Sequence, residues 1–137
     1  MSTASAVTAR LMETWAHGQD IADTLSIHRA PTNRLHHIAH LGIATRGFSY
    51  TVNGRLAPTS TVRVELISAT GQEWSWGPLD GVDHIAGSAE EFCLVVTRRR
   101  HVEDTKLTTR GPHAREWMMI AQTYAGDPGS GRLPGAQ

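Results

Sequence analysis

The chain has 137 residues, enough for one ordinary domain or a small domain with a helical extension, since domains commonly run roughly 100 to 200 residues. Thirteen basic and thirteen acidic side chains leave a formal net charge of zero, so bulk charge draws the molecule neither to nucleic acid nor to an anionic membrane. With 39% hydrophobic residues, one cysteine, no signal-peptide pattern and no apolar run near the roughly 20 residues that cross a bilayer, the expected class is a soluble protein of the reducing cytoplasm.

From about Thr3 to Leu25, Val7, Leu11, Trp15, Gly18, Ala22 and Leu25 recur at spacings of three and four, which predicts an amphipathic first helix. After the turn-like HRAPTN, Ile38, Leu41, Thr45, Phe48 and Val52 repeat that spacing until Asn53-Gly54, which predicts one long second helix. The period then changes to two. Val62, Val64 and Leu66 alternate with Arg63, Glu65 and Ile67, and Trp74 and Trp76 resume the alternation after Ala69-Thr70-Gly71, the pattern of a β-hairpin.

Residues 83–86 predict a short third strand, and Ser88 with Glu91 has the spacing of a capping box ahead of FCLVV, a third helix running from about Ala89 to Arg99. Lys106 to Arg110 predicts a last short strand. Gly111-Pro112 then opens a helix with Ala114, Trp117, Met118, Ala121 and Tyr124 on its buried stripe, closed by Gly126. The order ααβββαβα predicts an α+β fold: a helical pair, then a small antiparallel or mixed sheet packed with two helices. The expected organisation is a helical segment over residues 1–57, an α+β domain over 58–126, and a Gly- and Pro-rich disordered tail over 127–137.

On the first helix Glu13, His17 and Asp20 fall on one face, and a carboxylate and an imidazole four residues apart can share one divalent ion such as zinc. The bland alternative is the wet side of an amphipathic helix. His36 and His40 form a second pair at chelating distance, with the alternative of exposed histidines near a helix start. Arg99 shares a predicted stripe with Phe92, Val95 and Val96, which aims its guanidinium toward the groove beside the first helix and leaves Arg98 and Arg100 facing solvent. The alternative for all three arginines is a solvated helix C-terminus. Cys93, within FCLVV, reads as an inert core thiol. No phosphate loop, GxSxG elbow or cysteine cluster is present.

The segment ARLMETWAHGQDIAD, residues 9–23, resembles the last helix of the metal-binding bundle in mycothiol-dependent maleylpyruvate isomerase-like proteins, which are related to the DinB-like bundles. RLHHIAHLGIATRGFSYTVNG and the stretch from VRVEL to RRRH are similar to the second domain of one branch, often labelled a wyosine base formation domain and similar in architecture to sterol carrier proteins. The likeness extends to about Gly126.

The resemblance implies that Glu13 and His17 are two of three metal ligands, the third being a histidine from an earlier bundle helix. It implies a metal-held mycothiol thiolate that adds to the substrate, with Arg99 holding a substrate carboxylate. Because the chain opens at the family's final bundle helix, the missing helices are expected from a longer, here truncated chain or from another subunit, unless His37 or His40 supplies the third ligand. The competing expectation is a non-catalytic α+β assembly or ligand-binding module. A homodimer would cover the first helix's apolar stripe, and a small-molecule substrate or thiol cofactor is the expected ligand, with no nucleic-acid or membrane partner.

Overall fold

The computed structural model of the chain describes residues 19, 20, 23 and 35–122. Gln19, Asp20 and Asp23 are helical, in line with the predicted first helix, while the rest of that helix and the 127–137 tail lie outside the described residues. Helices α1 (Leu35–Ala44) and α2 (Arg46–Val52) come next, where the period predicted a single helix. The interruption is Thr45, whose hydroxyl donates to the carbonyls of Leu41 at 2.8 Å and Gly42 at 3.2 Å, a back-bond that bends helices. At the other end of α2 the expected stop is present. Gly54 takes φ +68°, and the amides of Gly54 and Arg55 return to the carbonyls of Thr51 and Tyr50 in a Schellman pattern.

Strands β1 (Val62–Ile67) and β2 (Glu73–Trp76) form the predicted antiparallel hairpin, pairing Val64 with Trp76 and Leu66 with Trp74. Strand β3 (Asp83–Ser88) runs parallel to β1 on its other side, and β4 (Thr108–Arg110) pairs antiparallel with β3, giving a mixed sheet in the order β2-β1-β3-β4. The fold is α+β, as predicted. Between β3 and β4 lie α3 (Ala89–Val96) and a 3-10 turn (Val102–Asp104), and α4 (Ala114–Ile120) follows β4. Ser88 caps α3 by accepting from the Glu91 amide at 3.1 Å. The reciprocal half of the predicted box is absent, because the Glu91 carboxylate accepts the Lys106 amide at 2.9 Å instead.

Helix α3 buries Ala89 and all five residues from Phe92 to Val96, with α1 on one side and β1 and β3 on the other. Burying each large apolar side chain contributes roughly 1.5–3 kcal/mol, so this helix is the main apolar element of the fold. One core joins Leu35, Ile38 and Tyr50 of the helical segment to Val64, Ile85, Phe92 and Trp117. It therefore runs across the boundary expected near residues 55–60. Helix α4 ends at Ile120 where Ala121 turns extended (φ −54°, ψ 131°), short of the predicted Gly126. Gln122 is held by Ser49, whose hydroxyl donates to its carbonyl at 3.1 Å and accepts its amide at 2.8 Å.

Helix α1 packs against α3 at Gly42, where an added Cβ would lie 2.9 Å from Val96 Cγ2. We expect Gly42→Val to lower stability by about 1–3 kcal/mol through overpacking. Chemical denaturation should show that Val96→Ala recovers part of this loss, a coupling absent if the two sites are independent.

Candidate functional site

The predicted third helix ends three residues early, and that ending arranges the arginines. Thr97 is its C-cap, and Arg98 adopts a left-handed φ of 62°, uncommon and costly for a residue with a Cβ. The amides of Arg98 and Arg99 return to the carbonyls of Val95 and Leu94, again a Schellman pattern. The chain thus reverses, and the next two side chains reach back across to the first helix.

Arg99 Nε lies 2.8 Å from Asp20 Oδ1 and its Nη2 donates to Oδ2 at 3.1 Å, while Nη1 donates to the Thr97 carbonyl at 2.6 Å. Arg100 grips Asp23 with both prongs, Nη2 to Oδ1 at 2.7 Å and Nη1 to Oδ2 at 2.9 Å. Gln19 orients Asp23 by donating to Oδ1 at 2.9 Å. The Asp23 hydrogen bonds and charge raise the Arg100 pKa against the opposing effect of burial. Asp20 and Asp23, three residues apart, share a helical face, so consecutive arginines meet them as a pair of clamps.

Arg99 does lie against the first helix, with both terminal guanidinium nitrogens hydrogen-bonded by the protein and Nε in charge contact with Asp20 but without a hydrogen bond. The expectation that Arg98 and Arg100 face solvent is corrected: Arg98 is only 9% exposed, and Arg100 is bound to Asp23. Helical spacing does not apply beyond Val96, so stripe arithmetic misplaces both.

Glu13 and His17 lie outside the described residues. His36 and His40 serve aromatic packing on the β2 edge. The His36 ring sits 4.8 Å from Trp74 and 5.3 Å from Trp76, and Trp76 Nε1 donates to His40 Nδ1 at 3.3 Å. Burial, followed by the charges of His37 and His40, lowers the His36 pKa. Among the described residues no group of three or more His, Cys, Asp or Glu side chains is placed to hold a metal ion. Cys93 is fully buried, its thiol directed to the Leu35 carbonyl at 3.4 Å and its pKa pushed up by burial, as an inert core thiol requires.

Two polar clusters had no signal in the sequence. Asp83, 1% exposed, accepts the Ser60 hydroxyl at 2.9 Å and the His113 amide at 2.7 Å, with Arg46 Nη2 at 3.6 Å. Beside it Tyr50 is pushed up to about 12 by burial and by the neighbouring Glu116 carboxylate. On the sheet, Glu65 Oε1 meets His84 Nε2 at 2.5 Å, and this hydrogen bond lowers the Glu65 pKa. Each cluster joins residues far apart in sequence, so only strand register could reveal it.

No protein-family model matches the chain, and no solved structure matches it. Two uncharacterized proteins of Mycobacterium tuberculosis, from the CDC 1551/Oshkosh and ATCC 25618/H37Rv strains, are each 49% identical to it over 132 residues, covering 96% of the chain and 51% of the relative. The chain thus spans about half the length of the curated relatives it matches.

Burial separates the two arginine clamps. The Asp23 side chain is 6% exposed and that of Asp20 40%. We expect Asp23→Ala to cost about 1–3 kcal/mol in urea unfolding by stranding a part-buried guanidinium, and Asp20→Ala about 0–1 kcal/mol. A depressed carboxylate contributes stability that is present above its ordinary pKa and lost as pH falls through the folded value. NMR titration should show the Glu65 pKa rising toward the ordinary carboxylate range in His84→Gln.

Proposed function

We propose that the chain is the C-terminal part of a metal-binding isomerase or thiol transferase of the mycothiol-dependent type, in which the α+β domain braces the helix that bears Glu13 and His17. The observation that carries this reading is the pair of clamps, Arg99 on Asp20 and Arg100 on Asp23. On a continuous helix His17 falls three residues before Asp20, on the same face. Bracing Asp20 therefore fixes the direction in which His17, one turn earlier, and Glu13, two turns earlier, would point on such a helix.

Asp20 and Asp23 are occupied by guanidinium groups, so the donors left for a divalent ion such as zinc are Glu13, His17 and a third group from elsewhere in the full protein. A metal bound there supplies one thing, a lowered pKa that keeps a cofactor thiol deprotonated at neutral pH. The chain's own contribution is orientation. In this reading Arg99 is a positioning residue that holds the metal-bearing helix, and a substrate carboxylate could take its fork only by displacing Asp20. The occupation of both its terminal guanidinium nitrogens favours a second reading, a non-catalytic α+β module that binds a partner or ligand.

Zinc titration of the chain distinguishes them. Binding is expected to be weak, because two protein ligands fall short of the three or four of stable sites, and to disappear in Glu13→Ala and in His17→Ala. Loading with zinc should then confer binding of a low-molecular-weight thiol such as mycothiol, with release of a proton seen by calorimetry in buffers of different ionisation heat. Zinc binding that survives the double substitution, or thiol binding indifferent to zinc, would overturn the metal-site reading in favour of the module.

A further inference from the structure

Val64, Leu66 and Ile85 of the sheet belong to the helix-covered core, so the alternate residues Arg63, Glu65, His84 and Arg110 project from the opposite face, where Glu65 and Arg110 are exposed and the Arg63 and His84 side chains keep 13% and 18% of their surface open. Strand register sets three of them side by side: Arg63 pairs with His84 across β1 and β3, and His84 with Arg110 across β3 and β4. With strands roughly 4.8 Å apart, the row is about 10 Å long.

Two guanidinium groups flank the imidazole in this row, a concentration of hydrogen-bond donors and positive charge that calls for an anion. Glu65 is the carboxylate that meets them, with Oε1 at 2.5 Å from His84 Nε2 and Oε2 at 3.8 Å from Arg63 Nη2. Donor capacity is left over. Arg63 Nη1 donates to the Gly77 carbonyl at 2.7 Å, but its buried Nε has no partner, and Arg110 forms no ion pair among the described residues. The Glu65 side chain is 48% exposed and can swing into solvent when another anion arrives.

We propose that the Arg63–His84–Arg110 row is an oxyanion-binding site for a small phosphate- or carboxylate-bearing molecule, with Glu65 as the internal counter-ion that the ligand displaces from His84. Guanidinium forks match the paired oxygens of either group, and a doubly charged anion matches two arginines better than the single carboxylate now present. The site lies on the far side of the sheet from the core and does not depend on the thiol-transfer reading.

The test is an NMR titration of the whole 15N-labelled chain at low ionic strength, where exposed charges are least screened. Inorganic phosphate is the probe in one arm and malonate in the other. Saturable shifts confined to residues 63, 65, 84 and 110 and their strand neighbours are expected, with a midpoint about tenfold weaker in Arg110→Gln. Glu65→Gln should bind severalfold more tightly because it removes the competitor, and Arg115→Gln, whose guanidinium pairs with Glu103 rather than with the row, should bind as the parent does. A response to phosphate alone identifies a phosphoryl ligand, and a response to malonate alone a carboxylate. Arg110 is exposed, and native tryptophan fluorescence verifies that the variants are folded. The proposal is overturned if folded Arg110→Gln binds like the parent, if shifts spread over all exposed basic residues, or if neither parent nor Glu65→Gln gives a saturable response.

Discussion

A helix that is apolar on nearly every side must be covered on every side, and α3 imposes that constraint on this chain. Phe92 to Val96 are all buried, which demands a layer above the helix as well as a sheet below. Helix α1 supplies the upper layer, packing so closely that Gly42 meets Val96 with no room for a Cβ. A segment that composition alone assigns to a separate helical arm is thereby drawn into the core of the α+β domain. Trp117 closes the far side, edge-on to Phe92 with centroids 6.0 Å apart and with Arg46 5.7 Å from its ring centroid.

The same helix organises the candidate site through its end. Arg98 accepts a left-handed conformation that glycine would take without penalty, and the resulting reversal carries Arg99 and Arg100 to two aspartates on the first helix. Backbone strain at one residue is thus coupled to two charge-assisted contacts at the next two. Charge–charge contacts of this kind direct orientation more than they add stability, so the two clamps set how Asp20 and Asp23 sit against the end of α3.

Polar groups on the two faces of the sheet are treated differently. On the helix side Asp83 is fully withdrawn from water and satisfied by a hydroxyl and an amide, with Arg46 close by, an arrangement that locks α2, β3 and the start of α4 together. On the other side Glu65 and Arg110 are exposed beside the more covered Arg63 and His84, and the arginine charges are only partly balanced. The first arrangement is structural. The second leaves donors available to a ligand.

Much of this was written in the sequence. Period two over residues 62–67 and 73–76, the Ser88 cap, the Gly54 stop and the apolar run around Cys93 each depend on neighbours within a few residues, so they determined the hairpin, the helices and the α+β class directly. The break at Thr45, the end of α3 at Val96 and the parallel placement of β3 did not follow from periodicity, because a hydroxyl back-bond and a left-handed arginine leave no repeating trace. Glu65 with His84, Asp83 with Ser60 and the His113 amide, and Arg99 with Asp20 are pairs separated by 19, 23, 30 and 79 positions. Only the tertiary structure decided them, since strand register and helix packing choose which distant side chains share a face, and no local pattern encodes that choice.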